Sequence, residues 1–156
     1  MWKKLLVIVL LFYVFALLQN SFFTHFNFFG TLPNLIFILF FTLAFFNNSS
    51  QTFLFAIIAG FFLDIYAYTY ICPSIILLLI IGFLLKKVQT LLIENNGKYP
   101  FGYFLILFLI FLTSYSWLID FVFDFLNIKL LLTLTYNSFI ALLFFYIYRR
   151  FINEKI

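Results

Sequence analysis

The sequence predicts an all-α polytopic membrane protein: six transmembrane helices in one bundle, with the N- and C-termini in the cytoplasm. Three observations predict it. The first is composition, since 67% of the 156 residues are hydrophobic and only 9% are charged. A soluble domain carries about a quarter charged residues to solvate its surface. A mean hydropathy of +1.19 is too high for a single aqueous core. The second is the recurrence of apolar runs separated by short polar stretches. The third is the placing of the basic residues in small clusters between those runs. The chain reads as a single integral-membrane domain over residues 1–156.

Taken in order, Leu5 to Leu18 forms the first span and is followed by the polar Gln19, Asn20 and Ser21. Lys3 and Lys4 ahead of an apolar stretch fit a signal peptide. No A-x-A cleavage site follows, however, and five more spans do, so the segment reads as an uncleaved first helix. Leu32 to Phe46 is the second span, with Pro33 in its first turn, where a missing N–H does no harm. The loop NNSSQ, Asn47 to Gln51, ends it. Thr52 to Tyr66 is the third span, and Ser74 to Leu85 is the fourth, stopped by Lys86 and Lys87. Their close joining predicts a helical hairpin. The polar stretch from Ile93 to Pro100 separates the fifth span, Phe101 to Ile119. The sixth runs from Leu130 to Tyr148 and stops at Arg149. Several spans fall short of the roughly 20 residues that cross a bilayer, so their ends must extend into neighbouring Tyr, Phe and Thr residues.

Charge sets the expected orientation. With the N-terminus inside, the cytoplasmic segments hold Lys3, Lys4, Lys86, Lys87, Lys98, Arg149, Arg150 and Lys155, eight of the nine basic residues. Only Lys129 falls outside, beside Asp120 and Asp124. Lysine and arginine favour the cytoplasmic side, so both termini are expected there.

The same residues exclude several classes of function. The net charge of +4 is not gathered into a nucleic-acid stripe; clusters between spans suit anionic headgroups instead. Cys72 is the single cysteine and has no internal disulfide partner; with one histidine it makes too small a set for a metal site. No nucleophile, base or phosphate-cradling loop is legible, so no catalytic residue and no cofactor are expected. His25 reads as a surface residue of an external loop. The 28 Phe show no fixed spacing and read as filling lipid-facing positions.

One carboxylate, Asp64, stands in the apolar run AIIAGFFLDIYAYTY. Charge at membrane depth is expensive and usually has a purpose. Ala56, Gly60 and Asp64 repeat at i, i+4 and i+8, flanked by Ala59, Leu63 and Ala67. A ridge of small residues permits close helix approach, which places Asp64 on a contact face pointing into the bundle. Its expected partners are Ser114, Ser116, Tyr136, Asn137, Ser138 or Gln19. We read Asp64 as a hydrogen-bond pin; the competing reading is a proton or substrate site. A transporter would show several intramembrane charges, broken helices or repeats, whereas Asp120 and Asp124 fall at the membrane surface near Trp117. Asn20, Asn34 and Asn137 suit helix-end or interhelical hydrogen bonds.

Five stretches occur in a familiar order: LLQNSFF from Leu17, GTLPNLIFILFFTLAFF from Gly30, AGFFLDIY from Ala59, IIGFLLKK from Ile80, and the helix of Asn137 ending in Tyr148, Arg149 and Arg150. Together they resemble the MreD family of bacterial rod shape-determining membrane proteins. The Gly30 stretch is similar to that family's G-x-x-P-D/N-L opening. The Ala59 stretch is similar to its A-G-x-x-x-D signature, with Asp64 in the place of the family aspartate. The chain departs from the pattern at Cys72 and Pro73, where a Gly-rich turn is usual, and at Asn34, where Asp is common.

The resemblance implies a non-enzymatic, multi-pass subunit of the plasma (inner) membrane, within the cell-elongation complex that directs lateral peptidoglycan synthesis and cell shape. Its implied partners are the bitopic protein MreC, with MreB, RodA and a penicillin-binding transpeptidase, besides membrane lipid; no nucleic acid is implied, and self-association stays open. The structural and interaction candidates are Asp64, Gly60, Ala56, Pro33, Asn34, Gln19 and Asn137. The family's bundle is similar to the substrate-binding subunits of energy-coupling-factor vitamin transporters, which supply the alternative function. That alternative needs a polar external pocket, and the external polar groups here are few: Asn20, His25, Asn27, Asp120 and Asp124. A membrane enzyme is the third and weakest alternative.

Overall fold

The computed structural model describes residues 2–25, 31–66, 73–93, 101–120 and 128–153. These form six α-helices: α1 (Trp2–Leu17), α2 (Leu35–Phe46), α3 (Ser49–Tyr66), α4 (Pro73–Ile93), α5 (Phe101–Asp120) and α6 (Ile128–Asn153). There is no β-strand among the described residues. Among the described residues, three stretches are long and apolar enough to cross a membrane: Leu5–Phe22, Pro73–Leu91 and Leu131–Arg150. Leu35–Phe46, Ser49–Ile65 and Phe101–Ser116 are shorter apolar helices.

The helix at the centre is α2, which touches each of the other five. Of its 12 residues, all but Leu43 and Phe46 are buried. A helix that is apolar on every side belongs inside a protein rather than at its surface. At 1.5 Å per residue α2 is about 18 Å long, well short of a hydrocarbon core of about 30 Å.

Aromatic rings fill the space around it. Phe37, Phe41 and Phe45 lie one turn apart on α2 and meet an aromatic face of α5. Phe37 lies 5.0 Å from Tyr115, Phe41 5.3 Å from Phe108, and Phe45 5.1 Å from Phe104 in an edge-to-face contact. Phe145 of α6 closes the group at 4.7 Å from Phe104. Such tilted and edge-on pairs are the arrangements the ring quadrupole favours. This corrects the reading of phenylalanine as lipid-facing filler. Phe53, Phe61, Phe83 and Phe139 are exposed, but Phe12, Phe37, Phe40, Phe41, Phe45, Phe104 and Phe108 form the core. Between helices in lipid, packing drives association, and interlocking rings supply it.

Several boundaries also move. Gln19, Asn20 and Ser21 do not end the first helix; the backbone continues through them as a π-helical turn, Leu18–Phe22. Pro33 lies two residues before α2 rather than in its first turn, with Asn34 as the N-cap. The NNSSQ loop reduces to Asn47 and Asn48, because α3 already begins at Ser49. Lys86 and Lys87 do not stop α4, which runs on to Ile93. A lysine's long stem can lie along apolar surface while its ammonium reaches polar groups, so the helix need not end there. The expected α3–α4 hairpin is the most extensive helix pair. Ala67, Cys72, Lys98, Asp124, Asn27 and Asn127 lie outside the described residues, as do the side chains of Lys3, Lys4, Trp117, Asp120, Lys129 and Lys155.

Candidate functional site

Asp64 is buried, as are Ala56, Ala59 and Leu63 of the same helix, and its side chain meets α4. Its two carboxylate oxygens each accept a backbone N–H, from Ser74 at 3.0 Å and from Ile75 at 3.2 Å. Those are the second and third residues of α4. The first is Pro73, which has no N–H to satisfy. One side chain on α3 therefore takes up the donors left open by the first turn of α4, and a negative group at that end is favoured by the helix dipole. Gly60 makes the approach possible: a Cβ there would stand 2.5 Å from the Ile75 Cα and 2.7 Å from its backbone nitrogen.

Asp64 thus caps α4 from α3, and its partners differ from those expected. Gln19 and Asn137 act at another helix end. Ser114 donates to its own helix at Ile110 O, and Ser138 Oγ is buried with no hydrogen-bond partner. The donors are main-chain groups, which carry no residue signature. The signal that finds them is Pro73, a residue suited to the first position of a helix. From the same cap, Ser74 Oγ lies 3.4 Å from Tyr115 OH, and the Tyr115 ring packs on Phe37.

Phe37 leads to a second cap, at the start of α2. The Asn34 side chain accepts the Phe37 N–H at 3.0 Å, Gln19 Oε1 accepts the Ile36 N–H at 3.2 Å, and Asn137 Oδ1 accepts the Asn34 N–H at 2.7 Å. Asn137 is fully buried, and its amide nitrogen donates back to Thr133 O at 2.7 Å, which fixes the orientation of the group. The structure therefore gathers Gln19, Asn34 and Asn137 around one helix end, with the buried Pro33 beside them. Asn20 stays apart, donating to Ala16 O within its own helix.

A third polar group, at the far end of α2, has no counterpart among the residues singled out from sequence. Gln89 Nε2 donates to Phe45 O at 2.9 Å, Thr52 Oγ1 to Ala44 O at 3.3 Å, and Lys86 Nζ to Asn47 O. The Asn47 amide donates to Leu43 O at 2.8 Å and to Tyr148 OH at 3.0 Å. Reading Lys86 as a stop signal conceals its part in this group. The central helix is held at both ends by side chains from its neighbours, where orphan carbonyls and amides would otherwise face an apolar surround.

His25 is exposed, with Nδ1 2.9 Å from Ser21 O. Among the described residues no group of His, Cys, Asp and Glu could hold a metal ion. In comparisons with known proteins, no family model matches the chain, and no curated protein and no solved structure matches it either.

Proposed function

We propose that this chain is a non-enzymatic scaffold subunit of the bacterial cell-elongation complex, an MreD-type protein crossing the plasma membrane six times with both termini in the cytoplasm. It works with MreC, MreB, RodA and a penicillin-binding transpeptidase to direct lateral wall synthesis. One observation carries the reading. The residues behind the resemblance are those that seat helices: Gln19, Asn34 and Asn137 at the start of α2, and Gly60 with Asp64 against α4. Such a signature preserves a shape, and a scaffold works by presenting a shape to partner helices in lipid, where packing decides association. Tagged protein drawn from membranes should bring MreC with it and should restore rod shape to cells depleted of the native scaffold. Co-purification of an ATPase module instead, with submicromolar vitamin binding, would replace this reading with the energy-coupling-factor one.

A further inference from the structure

A basic corner forms where α2 ends, with Asn47 at its hub. The Asn47 carbonyl accepts from Lys86 Nζ, and its side-chain amide donates to the Tyr148 hydroxyl at 3.0 Å. Tyr148 thus acts as an acceptor there, which leaves its own O–H to donate. Lys86 donates to Asn47 O and to Gln89 Oε1 at 2.8 Å, while an ammonium carries three N–H groups. One N–H of Lys86 and the O–H of Tyr148 therefore remain beside Asn47 without a described acceptor. Arg149, next to Tyr148, and Lys87, next to Lys86, are exposed.

Nothing acidic among the described side chains balances this charge. Asp64 caps α4 at Ser74 and Ile75, and Lys86 follows Ile75 on the same helix by about 17 Å at 1.5 Å per residue. Ahead of the corner, both helices present apolar residues outward: Phe83 and Leu84 on α4, Leu143 and Ile147 on α6.

We propose that this corner binds the phosphate of an anionic phospholipid headgroup, with Lys86 Nζ and the Tyr148 hydroxyl as donors and Arg149 supplying further charge. The adjoining apolar faces suit acyl chains, which selects a lipid over a free anion. Basic pockets between helices at a membrane surface are suited to such headgroups. The proposal rests on the chain lying in a bilayer and is independent of the scaffold reading.

Purified chain in detergent micelles can be titrated with phosphatidylglycerol, with phosphatidylcholine of the same acyl chains, and with inorganic phosphate. Native mass spectrometry reads the retained lipid, and thermal unfolding reads the stabilisation. Phosphatidylglycerol should be retained and raise the midpoint, and the other two should do neither. Arg149→Gln should weaken phosphatidylglycerol binding about fivefold while leaving the lipid-free midpoint unchanged. Tyr148→Phe should weaken it as well. Since Tyr148 also holds Asn47, Arg149→Gln decides the matter if Tyr148→Phe does not fold. Equal retention of phosphatidylcholine, an equal rise with inorganic phosphate, or undiminished binding by Arg149→Gln overturns the proposal.

Discussion

Asp64 and Gly60 act on the same turn of α4, so their substitutions can be ranked. Asn at position 64 keeps one acceptor oxygen and strands one N–H of the two it now serves, for a loss of about 1 kcal/mol. Leu strands both, for about 2 kcal/mol. Gly60→Ala should cost more than Asp64→Asn, on the order of 2–3 kcal/mol, because the added Cβ meets backbone that no rotamer change can move. Gly102→Ala is the control: nothing lies within 4 Å of the Cβ it would add. Reversible unfolding in detergent tests the order. Asn failing as badly as Leu would point to a titratable site and away from the cap. The placing of Asp64 on a helix-contact face was legible because Ala56, Gly60 and Asp64 share that face. Its partners were not, since any residue but proline offers the same backbone donor.

At the scale of an element, α2 depends on neighbours from distant parts of the chain. Gln19→Ala and Asn137→Ala each leave a backbone N–H of its first turn unpaired and should each cost about 1–2 kcal/mol. The two act on one helix end, so the double variant should depart from the sum of the singles by about 0.5 kcal/mol or more. Simple additivity would mean that the two bonds are independent and that the cap is no unit. The helical character of α2 was legible from its unbroken apolar run, and its central place was not. A helix apolar on every side has the same pattern in sequence whether lipid or protein surrounds it. The far end of α2 stayed hidden for a related reason. Lys86 and Gln89 lie in a stretch whose charge suggested an ending, whereas their side chains reach back to the carbonyls of Phe45 and Asn47.

At the scale of the whole molecule, the charge asymmetry makes a prediction about sidedness. In a Cys72→Ser background, single cysteines at Asn48 and Lys98 should resist a membrane-impermeant thiol reagent in intact cells. Cysteines at Thr24 and Asn127 should react. Labelling of the first pair would overturn the arrangement with both termini inside. The α2 and α4 caps lie at one end of the molecule, joined by Tyr115 between Ser74 and Phe37, and the Lys86 corner lies at the other. Polar chemistry is thus concentrated at the two ends, and the middle is ring packing.

The bond from the Asn34 N–H to Asn137 joins residues 103 positions apart. During synthesis α2 emerges long before α6, and until then its first turn carries an open donor in an apolar setting. The acceptor on α6 therefore arrives late: a chain cut short before α6 leaves the Asn34 N–H open. Pulse-chase in cells should show a chain ending at residue 127 disappearing several-fold faster than the 156-residue chain, with Asn137→Ala in between. Equal lifetimes for all three would show that quality control in the membrane does not read this bond.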